Sequence, residues 1–283
     1  MKRLLIFLLC ATALFGCGRK QKEIVIIPDI EKNHLQRSHI FGQVKAIESE
    51  SVALVPDSAG GFVAGDTLSR IVQHFSPDGY LTNIIKLGND GDTVSKEIIT
   101  YSSEAKELAH ETYDGENILK RKTTFDYNRY GFKSKESCYL LDSLLYFIDY
   151  KTDDKGNVIE MTHNRGGVAM RSRIAYNKAG LVARIEEFEP SGKLFKYATV
   201  EYDNYGDEVN RRVFKTGDEL IEYTYTEYTQ EGRVVKIIYE DRLHSLREVS
   251  VFSDYDEHGN WTKEEKSVNN RPIYCRNRNI TYY

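Results

Sequence analysis

Histidines stand at 34, 39, 74, 110, 163, 244 and 258, and none falls in the His-Glu-x-x-His spacing that sets two metal ligands on one helix face. Only His34 and His39 are close in sequence, so solvated imidazoles and no metal centre are expected. The acidic turns Gly88-Asn89-Asp90-Gly91-Asp92 and Thr152-Asp153-Asp154-Lys155-Gly156-Asn157 carry oxygens of the kind calcium takes. They lack the length and closing glutamate of an EF-hand loop, and turn chemistry accounts for them. Carboxylate neighbours such as Glu186-Glu187 and Glu264-Glu265 could do acid–base work, yet nothing in the sequence sets two of them across a bond. There is no Gly-x-Ser-x-Gly elbow, phosphate loop or dinucleotide fingerprint. Ser58-Ala59-Gly60-Gly61 leads into a strand at Phe62, not into the helix a phosphate cradle needs. The expectation is a non-enzymatic chain without cofactors. The chemical surplus is aromatic, with 20 Tyr, 12 Phe and one Trp. Tyr joins a flat apolar ring to a polar tip, so Tyr223 and Tyr225, alternating on one strand face, are candidates for a platform binding a glycan or a protein. Core packing is the competing use of such residues.

The N-terminus carries a different chemistry. Lys2 and Arg3 precede an apolar run from Leu4 to Phe15, followed by Gly16 and Cys17. A basic start, a short apolar stretch and a small residue before the cleavage point are the marks of a secretory signal. Twelve apolar residues fall short of the roughly 20 that span a hydrocarbon core as a helix. Leu14, Gly16 and Cys17 resemble a bacterial lipobox, which implies acylation of the Cys17 thiol and removal of residues 1–16. Acyl chains contribute about 0.8 kcal/mol per buried methylene, so two or three give a stable anchor. Loss of Lys2 and Arg3 moves the net charge from −4 to −6, which argues against a nucleic-acid partner and against docking on anionic lipid. Beyond Cys10 in the signal and Cys17, Cys138 and Cys275 remain. About ten strands at roughly 4.8 Å would part them in an open sheet, so two unpaired thiols are expected unless the sheet closes on itself.

Residues 17–40 lack any repeat and read as a lipidated N-terminus and tether, and 41–283 reads as one domain built from repeats. Gly79, Gly131, Gly156, Gly180, Gly206, Gly232 and Gly259 recur at spacings near 26, and Ala105 sits where an eighth glycine belongs. Four residues before these anchors stand Phe75, Tyr101, Tyr127, Tyr176, Tyr202, Tyr228 and Tyr255, with Thr152 as the exception. Three before stands Ser, Asn, Asp or Thr in every unit. A type I turn takes such a side chain first and glycine fourth, because the side chain accepts from the turn backbone and glycine tolerates positive φ. Second turns follow 10 to 12 residues later in most units, as at Asp114-Gly115 and Pro190-Ser191-Gly192. Between turns, Ile221, Tyr223 and Tyr225 alternate with Leu220, Glu222 and Thr224, the period of a strand. From Ser137 to Asp149 the second turn is not readable. The fold class expected is all-β: an extended antiparallel meander of two-strand units, forming an open, curved, solenoid-like sheet, with a closed or spiral barrel as the alternative. The anchor aromatics should stack as a ladder along the strand ends.

Tyr202-Asp203-Asn204-Tyr205-Gly206 and Tyr255-Asp256-Glu257-His258-Gly259-Asn260-Trp261 resemble Rhs/YD-type repeats, and the second resembles repeat lipoproteins of Bacteroidetes. The resemblance covers roughly residues 42–283 and implies a β-repeat architecture; without a toxin domain or self-cleaving junction, toxin delivery does not follow from it. Lipoproteins of that group exported to the surface are typically acidic just after the Cys, whereas Gly18-Arg19-Lys20-Gln21-Lys22 is basic. The resemblance therefore favours an outer-membrane protein on the periplasmic side, with surface exposure as the alternative. The function expected is a lipid-anchored, non-enzymatic binding or scaffold surface of the cell envelope. A glycan-binding lipoprotein of an uptake system and an envelope hydrolase are the alternatives.

Overall fold

The computed structural model describes residues 32–283. Residues 1–16, Cys17 and the tether as far as residue 31 lie outside the described residues. A four-residue helix, α1 (His34–Arg37), precedes eighteen strands. The first six are β1 (Val44–Pro56), β2 (Phe62–Phe75), β3 (Leu81–Leu87), β4 (Thr93–Tyr101), β5 (Glu107–Asp114) and β6 (Leu119–Tyr127). The next six are β7 (Lys133–Leu140), β8 (Ser143–Thr152), β9 (Val158–Arg165), β10 (Val168–Tyr176), β11 (Val182–Phe188) and β12 (Leu194–Tyr202). The last are β13 (Glu208–Lys215), β14 (Leu220–Tyr228), β15 (Val234–Asp241), β16 (Leu246–Tyr255), β17 (Trp261–Val268) and β18 (Arg271–Tyr282).

Each strand pairs antiparallel with its neighbour in sequence, and β1 pairs on one side with β2 and on the other with β18, from Val44↔Tyr282 to Ala53↔Tyr274. The open, solenoid-like sheet expected from the repeats is therefore wrong: the meander is a closed barrel. The physical reason lies in the ends of the hairpins. In seven of the eight units the register slips immediately before the anchor position, as at Thr100/Tyr101, Asp126/Tyr127, Ala175/Tyr176 and Glu201/Tyr202. In the eighth, Asp254 takes φ 53° directly before Tyr255. At the other end six hairpins slip as well, as at Lys86/Leu87 and Glu187/Phe188. A bulge bends its strand and raises the local twist, and bulges recurring around both ends curl the sheet until its edges meet. Closure also removes both unpaired edges.

The two barrel ends differ. At one end lie the eight anchor turns and the junction of β18 with β1. There Asp203 Oδ1 accepts from the N–H groups of Tyr205 and Asp207 at 2.8 and 3.0 Å, and Gly206 N–H donates to the Asp203 carbonyl. Asn128, Asp153, Asn177 and Asp256 repeat this pattern with their own turns. Ser102 and Thr229 do so through hydroxyls. The seven anchor glycines have φ between 78 and 89°, and Ala105 takes the same left-handed region at 58°. Hairpins of two to five residues close the other end. Leu141 and Asp142, at φ 48 and 67°, make the two-residue β7–β8 turn that the sequence hid.

Six anchor tyrosines share one further bond. The hydroxyls of Tyr101, Tyr127, Tyr176, Tyr202, Tyr228 and Tyr255 donate to the carbonyls of Leu81, Glu107, Val158, Val182, Glu208 and Val234, each the first residue of the preceding strand. Backbone pairing stops before that residue, at Asn83↔Ile98 for β3 and β4, for example. The phenol thus supplies the donor that the splayed strands lack, a net gain of about 1 kcal/mol each. In β18 the guanidinium of Arg278 does the same for the Trp261 carbonyl, at 2.8 and 3.1 Å, while lying 3.4 Å from the centre of the Trp261 ring. Burial lowers the Arg278 pKa to about 10.

Cys138 and Cys275 are both free thiols, on β7 and β18.

Candidate functional site

Residues 33–42, all but the last two in the stretch 17–40 read as a tether, lie across the anchor-turn end of the barrel. Asn33 caps α1: its Oδ1 accepts from Gln36 N–H, while Gln36 Oε1 accepts from Asn33 N–H, both at 2.9 Å. A helix this short has no independent stability, and docking holds it. Asn33 Nδ2 donates to the Asp78 carbonyl at 2.8 Å, and Leu35 packs with Val44, Ile47 and Phe75 in a small core where β1, β2 and the plug meet. Further along, Asn260 clamps Phe41, accepting from its N–H at 2.7 Å and donating to its carbonyl at 2.8 Å. His34 Nε2 lies 3.5 Å from Glu107 on β5, and His39 Nδ1 lies 3.6 Å from Asp207 in the turn before β13. Six residues, whose full extension is about 20 Å, thus bridge strands eight places apart around the ring. The barrel is plugged at this end.

Beneath the plug is a cavity of about 530 Å³. One wall is an arc of rings from Tyr80, Tyr101, Tyr127, Tyr150 and Tyr176. Three of these are the anchor tyrosines whose hydroxyls are tied to backbone carbonyls, and Tyr150 donates to Glu136 at 2.8 Å. Burial raises the phenol pKa of Tyr101, Tyr127 and Tyr150, to about 12 at Tyr127, so these three rings stay neutral. In the cavity lining Glu107 meets His110 Nε2 at 3.8 Å, His34 Nε2 at 3.5 Å and Lys133 Nζ at 3.2 Å. Together, the imidazoles first, these hold its carboxyl well below the usual carboxylate range. Of the three, only the lysine is close enough for a full hydrogen bond; His34 Nδ1 and His110 Nε2 are buried without one. A second cavity of about 370 Å³ shares Glu107 and Lys133 and adds Glu97, Arg121, Glu136 and Tyr146, so the interior on this side is polar. On the far side of the plug, burial pulls the His39 imidazole below its usual value, against the opposing charge of Asp207, and burial likewise pushes Asp207 up.

Tyr223 and Tyr225 sit on β14 facing away from this interior, opposite Arg212 and Asn210. The Tyr223 hydroxyl donates to Asn210 Oδ1 at 2.9 Å, and the Arg212 guanidinium is 6.0 Å from its ring centre. The two are neighbours on the outer wall and not part of the plugged cavity. Glu107 and Lys133 were not singled out by sequence, and His34 and His110, expected as solvated imidazoles, each bury a ring nitrogen here. A signal existed: two residues after the anchor the units carry Leu81, Val158, Val182, Val234 and Trp261, but Glu107, Lys133 and Glu208 in the remaining three. Charge at a position that otherwise packs is the mark of a polar interior. Among the described residues no group of His, Cys, Asp and Glu is arranged to hold a metal ion.

What these features define is a closed all-β barrel with a plugged, tyrosine-lined mouth. No protein-family model matches the sequence, and no curated protein matches it. Among solved structures it is similar to a porin-like protein from Bacteroides uniformis, at 13% identity and a TM-score of 0.43 over 85% of this chain and 98% of that one. A DUF1329 family protein from Desulfovibrio piger matches at 11% and 0.27, over 84% and 86%. TcdB2-TccC3 without its hypervariable C-terminal region matches at 12% and 0.25, over 80% of this chain and 15% of that one. Scores of this size define no family for the chain.

Proposed function

We propose that the chain is an exported, lipid-anchored protein of the bacterial cell envelope, held through Cys17 at the periplasmic side of the outer membrane, whose YD-like repeat barrel is a non-enzymatic binding module. The observation that supports this reading is the outer wall. Lys122–Glu111, Arg173–Glu160, Arg184–Glu186, Arg212–Glu201 and Arg70–Glu50 form ion pairs there, and Lys151 is 72% exposed. A membrane-spanning barrel presents an apolar band about 25 Å tall, where a central Arg or Lys costs about 2–4 kcal/mol. A wall laced with charge on strand after strand suits water. The barrel would then be kept at the membrane by its lipid and not by its strands.

Cys17→Ala tests this. The variant should incorporate no palmitate and appear in the soluble fraction without detergent, folded by circular dichroism. A variant that is still membrane-bound and needs detergent for extraction would mean that the strands themselves insert.

A further inference from the structure

The cavity beneath the plug has the features of a ligand site, and we propose that it binds a short neutral saccharide, a sugar without ionised groups. This rests on the reading of the barrel as a binding module and names its ligand class. At about 530 Å³ the cavity falls within the range of about 300–1,000 Å³ common for small-molecule sites. Its tyrosine arc offers flat apolar faces with polar rims, the surface on which the alternating C–H and O–H groups of a pyranose ring can lie. Four of the five phenols are already committed to Leu81, Glu107, Val158 and Glu136, so those rings are held in place before any ligand arrives. Such preorganisation lowers the ordering cost of binding.

Charge narrows the class. The cations of the lining are already engaged: Lys133 by Glu107, Lys106 by Glu104, and Lys32 and Arg37 by other groups of the protein. The Glu107 carboxylate is held in turn by Lys133 with His34 beside it. A charged ligand would have to take one partner from such a pair and strand the other, which is costly in a partly buried site. An uncharged ligand leaves every pair intact.

Hydrogen bonding then selects hydroxyls. The phenols of Tyr101, Tyr127, Tyr150 and Tyr176 have committed their hydrogens, so their oxygens can only accept. His34 turns Nε2 toward the Glu107 carboxylate at 3.5 Å, and a proton on that nitrogen leaves Nδ1 a bare acceptor. That Nδ1 is buried without a partner. A sugar hydroxyl donates to acceptors of this kind, whereas a hydrocarbon of the same size satisfies none of them.

The test is calorimetry on the lipidated full chain, extracted in a detergent without a sugar headgroup. It is titrated with maltose, cellobiose, mannobiose and diacetylchitobiose, and with their uronic-acid and amino-sugar counterparts. At least one neutral disaccharide should bind, about tenfold tighter than its charged counterparts. Tyr80→Ala, outside the strand ladders, should weaken it about threefold to tenfold, and Tyr80→Phe, which keeps the ring, should restore it. His34→Phe, which loses both nitrogens, should weaken it about threefold or more, with circular dichroism unchanged in all three variants. Equal or tighter binding of the charged sugars would overturn the ligand class. Unaltered binding by Tyr80→Ala and His34→Phe would overturn the location, and no binding by any neutral disaccharide would overturn the proposal itself. Chromatography of the sugars after titration keeps the two readings apart: a cleaved disaccharide would sink the non-enzymatic reading while the site stood. Because lipid and detergent are present throughout, none of these failures bears on the anchoring experiment.

Discussion

The hydroxyl of Tyr202 donates to the carbonyl of Val182 at 2.9 Å, across a gap where β11 and β12 have already parted beyond Arg184↔Thr199. The same bond in five other units makes the anchor tyrosine a fastener as well as a packing residue. Tyr202→Phe keeps the ring and loses the donor, so it should cost about 1 kcal/mol in urea unfolding. Adding Tyr255→Phe, four strands away, should double the loss, because the two sites share no partner. A double variant no weaker than either single one would sink this account.

Gly79 separates backbone strain from plug docking. At φ 82°, a Cβ there would stand 2.6 Å from Asn33 Nδ2. Gly192 has φ 83° and nothing within 4 Å. Both Ala variants should lose about 1–2 kcal/mol for the left-handed conformation. Gly79→Ala should lose more, and should raise protease cleavage within residues 33–42. Equal losses and equal cleavage would mean that Asn33 does not hold the plug.

Asn260, 2% exposed, meets both the N–H and the carbonyl of Phe41. Asn260→Ala strands two backbone groups and should cost about 2–3 kcal/mol. Amide exchange at Phe41 should accelerate far more than exchange in β6, on the far side of the barrel. A uniform change across both would point to general loosening instead of plug release.

Glu107 makes a pH prediction with a definite sign. Its folded-state pKa lies below the value of about 4.3 for an unfolded chain. The resulting stabilisation is therefore complete above that pH and declines as pH falls toward the folded value. Glu107→Gln should be less stable than the parent at pH 7, and the deficit should shrink steadily below about pH 4. A deficit constant from pH 7 to pH 3 would show that Glu107 acts by shape and not by charge.

The local grammar of this fold was open to reading in the sequence. Short polar residue, two more, then glycine located seven of the anchor turns, and Ala105 marked the eighth, whose left-handed residue is not glycine. Closure was not open to reading, because alternation of period two is the same in an open and a closed sheet, and the bulges before Tyr101 or Tyr202 leave no distinctive residue type behind. The β7–β8 turn was hidden for a related reason: Leu141 occupies a left-handed position usually marked by Asn or Gly. The site was hidden by distance. His34 and Glu107, or Phe41 and Asn260, meet only once the ring is shut, so no spacing along the chain announces them.

Closure at the β1–β18 seam bears on how the molecule is made. Val44 faces Tyr282, so the first strand waits for the last before its outer side is paired. A growing meander can zip hairpin by hairpin through local contacts, yet every intermediate displays two raw edges that invite pairing with another chain. For a chain made from its N-terminus onward, the finished state is reached only when the final strand is available. Maturation is then a single late event at the seam, and the interval before it is when the chain is exposed to aggregation.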